Sequence, residues 1–498
     1  MKKCHFSIIP ILFLLIGLFI FLYPSIISLG ALLPGIESDT NLIHYFLEHG
    51  YLFVHQTIPH TSLFDLPIFF PKANTLSFSD MMLGGMLIYV PVRELVDNPQ
   101  SAYLIWIFAV CILNYISMYL LLSRVFNFKQ IPSSVGAVLF AFGLPRATFL
   151  THSQLMLQFY SIFSVFFFLS FNQNKSKIHN NCCLFLGSIF FVIQFYTTFY
   201  YGYYMVLGAV ICFFIMLLSK NLRIKLFDFV KKYKYELVLY SLFTFTMLIP
   251  LLKHYIAVGT QFDYANCGEI RTFPIIAIFV SNSILDNMIF DAGNVFYNIF
   301  NIFYFEESDI GIGYIISLLV ITGIIKDKIN RKYVSAFILI ALALFTNTVL
   351  NTILYYVFPG TSAIRVSGRI IFLLLPIYSY YLASFITFIS SQNSTNKGKL
   401  INFVLILLIF AELYTYNDRN WSVDLHRREL EKYPVNNCNV VGFYKNIVNI
   451  EDFPADNTDI MWYSISNNVR TINGYSGYQP HFQNNAIPDR CMFELKYK

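Results

Sequence analysis

The chain is a succession of long apolar runs, and no other feature restricts its fold as tightly. About eleven runs of spanning length fall near 7–33, 101–122, 131–149, 154–172, 182–200, 203–218, 237–253, 311–325, 334–357, 370–390 and 400–416. Each approaches the roughly 17–25 residues that cross the hydrocarbon core of a bilayer. Within that core every backbone N–H and C=O must be satisfied inside the segment, so runs this apolar are expected to be helical. Of the 498 residues, 56% are hydrophobic and only 12% charged. Soluble domains carry roughly 25% charged residues. The expectation is an all-α polytopic membrane protein.

The basic residues orient it. Lys2 and Lys3 precede the first run, Arg124 and Lys129 follow the second, and Lys175 and Lys177 follow the fourth. Lys220, Arg223, Lys225, Lys231, Lys232 and Lys234 follow the sixth. Lys326, Lys328, Arg331 and Lys332 follow the eighth, and Lys397 and Lys399 the tenth. Every second loop is basic, as expected for cytoplasmic loops. With eleven spans, the N-terminus is cytoplasmic and the C-terminus lies outside. The formal charge of +6 is then mostly a topology signal and implies no nucleic-acid partner. The first run is too long for a cleaved signal peptide and continues without a small-residue cleavage site.

The outer loops are unequal. Loop 34–100 is long, as is 254–310, and a polar tail, 417–498, follows the last run. Residues 39–49 and 79–96 each open on a helix-capping residue and carry apolar residues at helical spacing, so two surface helices are expected in the first outer loop. The tail is expected to form a small α+β cap, with a helix near 422–432 and short strands beyond. Its Cys438 and Cys491 either pair on the oxidising side or remain free thiols. The eight cysteines show no CxxC or Cys/His metal pattern.

Polar groups able to do chemistry collect in loops on one side. Glu37 and Asp39 leave the first span, where a carboxylate hinders insertion and so invites a functional reading. Asp39 suits a general base, or the N-cap of helix 39–49. Glu37 shares that work or flanks it. Asp80 caps the second surface helix or is a second acid. Arg146, His152 and Gln154 lie between the third and fourth runs. His152 binds an anion or caps a turn. Arg365 and Arg369 are four apart, so on a helix they share one face. Two guanidiniums there suit a phosphate, and snorkelling is the competing reading. The run 197–204, which includes Tyr201, stacks on sugar or prenyl groups or forms an interfacial aromatic belt. Glu269, Arg271, Glu306, Glu307 and Asp309 complete the set. There is no Walker loop, Rossmann glycine pattern, HExxH or GxSxG. Charges inside the runs are scarce, which argues against an ion-coupled transporter.

Several segments carry a resemblance. IESDTNLIHYFLEHGYLF (36–53), IFFPKANTLSFSDMMLGGMLIYVPVREL (68–95) and LFAFGLPRATFLTHSQL (139–155) resemble, in this order, bacterial membrane glycosyltransferases of the GT-C superfold. FPGTSAIRVSGRI (358–370) resembles their later loop with paired arginines, and Met461-Trp462 with TINGYSGYQP (471–480) resembles their tail motif. The resemblance implies a GT-C bundle in residues 1–416, two surface helices in the first outer loop, an outward active site and a periplasmic cap in 417–498. It implies a polyprenyl-phosphate-linked sugar as donor, a glycan, lipid or protein as acceptor, and a bacterial inner-membrane location. Asp39 matches the acid of the first outer loop. Arg365, Arg369, His152 and Arg146 would hold the lipid phosphate, and Tyr475 would belong to an acceptor site, although a tight Asn-Gly turn also explains its segment. No cofactor is expected, since an arginine pair can neutralise the phosphate. The acid cluster at 306–309 leaves a divalent metal open. A lipid or glycan transporter and a non-catalytic scaffold of the same fold are the alternatives.

Overall fold

The computed structural model describes residues 8–57, 62–172, 174–259, 272–279, 283–285, 310–392, 396–415, 420–421, 430–433, 438–444, 453–476 and 490–494. In chain order the helices are α1 (Ile8–Ile27), α2 (Glu37–Val54), α3 (Leu83–Leu95), α4 (Pro99–Leu120), α5 (Gln130–Phe142), α6 (Leu144–Thr148), α7 (Phe159–Ser170) and α8 (Lys177–Thr197). Then come α9 (Phe199–Leu218), α10 (Lys220–Gly259), α11 (Tyr314–Lys326), α12 (Arg331–Thr346), α13 (Thr348–Val357), α14 (Ile371–Gln392), α15 (Asn396–Glu412) and α16 (Phe453–Ser466). Each of the eleven apolar runs contains a helix over its described residues. Not all have spanning length.

Among the described residues, eight helical stretches are long and apolar enough to cross a membrane, or nine if α12 and α13 count as one span. The α12–α13 pair bends by 89°. The cause is legible: Asn347 leaves helical geometry and its side chain caps α13 by accepting the Leu350 N–H, which restarts the helix in mid-run. Helix α11 has 13 residues, fewer than the run expected there, and α15 has 17, at the lower limit for a span. The chain is a multi-pass membrane protein, with fewer helices of spanning length among its described residues than its apolar runs suggest.

Helix α5 is the axis of the bundle. It packs against α1, α4 and α14, and every side chain from Pro132 to Phe142 is buried. Close approach to α14 depends on Gly136: a Cβ there would lie 2.7 Å from the Ser379 carbonyl oxygen.

The two surface helices form, with shifted starts. Helix α2 begins at Glu37 with Ile36 at its N-cap position, so Asp39 sits in the first turn and is not the cap. Helix α3 begins at Leu83, so Asp80 does not cap it. The pair is tied by Glu48, which accepts hydrogen bonds from Tyr89 Oη (2.6 Å) and Arg93 Nε (3.1 Å).

The C-terminal segment is α+β. Strands β1 (Leu33–Pro34) and β2 (Asn420–Trp421) pair antiparallel. Strands β3 (Val440–Tyr444), β4 (Arg470–Thr471) and β5 (Arg490–Glu494) form a parallel sheet in the order β4-β3-β5. Cys438, just before β3, is joined in a disulfide to Cys491 of β5. Helix α16 lies on α2: Trp462 Nε1 donates to the Asn41 carbonyl (3.1 Å), and Asn41 Nδ2 to Asp459 Oδ1 (3.4 Å). The helix expected near 422–432 falls mostly outside the described residues.

Gly136→Leu is expected to force α5 and α14 apart, costing about 1–3 kcal/mol. Thermal unfolding of the detergent-purified protein should show a lowered midpoint.

Candidate functional site

Three sequence-distant segments meet at Asp39. The first is the start of α2. Gly35 precedes it with φ +111°, and a Cβ there would overlap Thr40 Oγ1. Only glycine makes that turn, which sets the first turn of α2 against the connector at Thr151. The Asp39 carboxylate lies in the positive partial charge of this helix start.

The second segment is the connector 143–158, with its short α6 and two 3-10 turns. His152 lies between those turns. Its Nδ1 is 3.3 Å from Asp39 Oδ2, and both side chains are about one-fifth exposed. The third is the stretch after β4. Tyr475 Oη donates to Asp39 Oδ1 at 2.8 Å. One carboxylate therefore faces an imidazole on one oxygen and a phenol on the other.

Tyr475 is placed by its neighbours. The Asn473 side chain spans the backbone of β3, accepting from Phe443 N (2.8 Å) and donating to Phe443 O (2.9 Å). Residues 471–473 also pair with the connector 67–70, through Thr471 N to Pro67 O (2.9 Å), Phe70 N to Thr471 O (3.0 Å) and Phe69 N to Asn473 O (3.1 Å). The Asn-Gly segment is thus an extended strand exit; no positive φ marks a tight turn there.

The arginine pair does not share a helix face. Residues 364–366 are extended between two 3-10 turns. Arg365 is exposed and Arg369 is buried. The Arg369 guanidinium lies 4.8 Å from the centroid of the Tyr200 ring and 5.8 Å from that of Phe149. Phe149 is in the same connector as His152. The Arg365 backbone N–H donates to Tyr200 Oη (3.1 Å).

Asp80 caps a helix, but not its own. It accepts from Phe199 N at 2.8 Å, at the start of α9. Burial pushes its pKa above the ordinary carboxylate value, opposed by the Phe199 hydrogen bond and by the charges of Arg369 and Arg365. Asp80 thus lies within electrostatic reach of both arginines.

Two expected site residues go elsewhere. Arg146 is fully buried and donates to Phe140 O (3.1 Å), Leu155 O (2.7 Å), Tyr201 Oη (3.0 Å) and Gln158 Oε1. Tyr201 is buried with it, its hydroxyl on Leu155 O. A cation deep in a bundle must satisfy its donors internally, and these carbonyls do so. The pair staples the connector. Glu37 is half-buried in the first turn of α2. Glu269, Arg271, Glu306, Glu307 and Asp309 lie outside the described residues. Tyr200 and Phe149 were not singled out from sequence. Tyr200 stands among consecutive tyrosines, and nothing in that run marks one over the next.

Among the described residues no group of three or more His, Cys, Asp or Glu could hold a metal ion. Asp39 and His152 supply two donors, short of the three protein ligands usual at a catalytic zinc.

No family model matches the chain, and no curated protein matches it. Solved structures do. The oligosaccharyltransferase of Archaeoglobus fulgidus, in complex with Zn and sulfate, aligns with a TM-score of 0.52 at 13% identity, over 94% of this chain and 62% of that one. Its apo form aligns with a TM-score of 0.50 at 12% identity, over 95% and 65%. The same enzyme tethered to an acceptor peptide with an NVT sequon aligns equally well, over 95% and 64%. This chain therefore spans less than two thirds of the length of these structures. At such identities the likeness concerns the fold alone. The chain is a mainly helical membrane bundle with the fold of those structures and a small parallel sheet near its C-terminus.

The raised pKa of Asp80 carries a sign. A carboxyl that binds its proton more tightly when folded favours the native state below the unfolded value of 3.8, and that contribution is lost as pH rises through the raised folded value. Asp80→Asn, which keeps an oxygen for Phe199 N, is expected to remove this part of the slope. Melting curves from pH 4 upward should converge at the acid end and show the variant relatively more stable as pH rises.

Proposed function

We propose that this protein is an integral-membrane glycosyltransferase. It moves a sugar from a polyprenyl-phosphate-linked donor to an extracytoplasmic acceptor (a glycan, lipid or protein), with inversion at the anomeric carbon. The observation that carries this reading is the Asp39 carboxylate, held between His152 and Tyr475 at one end of a GT-C-type bundle, with the Arg369 guanidinium stacked against the same connector.

Each group then has a task. Asp39 accepts the proton of the acceptor nucleophile as that atom attacks the anomeric carbon. The phenol of Tyr475 and the imidazole of His152 orient the carboxylate, one per oxygen. The bond from the anomeric carbon to the phosphate oxygen breaks on the opposite face, and polyprenyl phosphate departs. Arg365 and Arg369 stabilise the charge that grows on it. A single displacement of this kind inverts the sugar. Glu37 flanks the base, and Asp80 holds the start of α9 beside the arginines. Arginine charge at the phosphate makes a metal unnecessary in this scheme. The archaeal enzyme was solved with Zn and sulfate, but the two donors at Asp39 do not by themselves make a zinc site.

Orientation follows the basic loops: N-terminus in the cytoplasm, C-terminal cap in the periplasm, membrane the bacterial inner one. The outer leaflet then supplies the lipid-linked donor sideways.

The test is sugar transfer from radiolabelled polyprenyl-phosphate donors by membranes holding wild type or Asp39→Asn at equal folded levels. The expected result is transfer by the wild type and a loss of ~10²–10⁴-fold in the variant, the range for removing a general base. Equal transfer by both would remove Asp39 from the chemistry.

Chelation with EDTA is expected to leave the wild-type rate unchanged. Loss of rate restored by added Zn²⁺ or Mn²⁺ would overturn the metal-free scheme.

A further inference from the structure

We infer that Tyr200 is a positioning residue for the donor phosphate: one side chain that holds both arginines at the lipid-phosphate site. The inference rests on the glycosyl-transfer reading above and deepens it. Tyr200 is 8% exposed, so its placement is set by packing. Its two ends serve different partners. The hydroxyl accepts the Arg365 backbone N–H at 3.1 Å, and the ring face lies 4.8 Å from the Arg369 guanidinium carbon.

Those two contacts address two distinct problems. Residues 364–366 are extended, so no helical ladder fixes Arg365, and a hydrogen bond from an adjacent element does. Two like charges four residues apart repel, and a cation against an aromatic face is held by the ring quadrupole. Stacking engages the plane of the guanidinium and not its edge, where the N–H donors lie that grip phosphate oxygens. Tyr200 is itself anchored: it is the second residue of α9, whose first N–H is accepted by the buried Asp80. Asp80, Tyr200 and the arginines thus form a chain in which an acid fixes a helix start, that start fixes a ring, and the ring fixes two cations.

The test uses the full chain in nanodiscs, comparing wild type, Tyr200→Leu and Tyr200→Phe. Donor KM, acceptor KM, kcat and melting temperature are measured for each. Tyr200→Leu removes ring and hydroxyl, and donor KM should rise roughly tenfold while acceptor KM stays near wild type, with a lower melting temperature from the lost ring packing. Tyr200→Phe keeps the stack and loses the anchor for Arg365, so donor KM should rise about threefold. A uniform fall in kcat and melting temperature with donor KM unchanged would assign Tyr200 to structure alone and overturn the inference. If Tyr200→Leu does not fold, the near-isosteric Phe variant decides, and an unchanged donor KM there overturns it. If the wild type transfers no sugar from any donor, the glycosyl-transfer reading fails first. Binding of polyprenyl phosphate itself, followed by native mass spectrometry, then judges Tyr200. Weaker binding in Tyr200→Leu supports the assignment, and equal binding rejects it.

Discussion

The guanidinium of Arg146, in α6 just past α5, sits fully buried, satisfied by the carbonyls of Phe140 and Leu155, the hydroxyl of Tyr201 and the side chain of Gln158. Gln158 in turn donates to Phe372 O at 2.7 Å, joining the connector to α14. A buried cation left without partners costs several kcal/mol, so the chain from Phe140 to Gln158 has little freedom to refold around it. That stretch closes back on itself between two spans, and His152 is where it meets α2. The staple and the displayed residue are six positions apart, and the one makes the other possible.

The site is assembled by parts that have no reason to meet in sequence. Gly35 turns the chain out of α1 so that Asp39 faces the connector. The cap arrives from more than four hundred residues away and contributes Tyr475. Its helix α16 is seated on α2 by Trp462 and Asp459, and its β4 exit is paired with the first outer loop. The cap is therefore a wall of the site. Asp80 joins the first loop to α9 and brings the arginine segment within reach.

The legible features were those governed by local chemistry. Spanning helices follow from apolar length, and each apolar run contains a helix over its described residues. Asp39, His152 and Tyr475 were singled out by motifs, and the structure brings these three together. Illegible features depended on which way a residue faces. Arg146 and His152 share one motif, yet one is buried in carbonyls and the other reaches Asp39. Tyr200 and Tyr201 are adjacent on a helix, and a turn of about 100° between them sends one to the arginines and the other into the core. Arg365 and Arg369 have the spacing of a helical face, but the chain there is extended. Asp80 looked like the cap of its own helix and caps α9.

The sequence by itself determined that the chain lives in a membrane, that its apolar runs are helices, and which polar segments stand out from them. It could do so because hydrophobic length and backbone satisfaction in hydrocarbon are properties of a segment alone. Only the tertiary structure decided which carboxylate is embraced, which arginine is a staple and which stands against Tyr200, and that α12 and α13 break apart at Asn347. Those outcomes depend on the donors and acceptors that other segments bring to the same point, and burial makes each of those pairings obligatory.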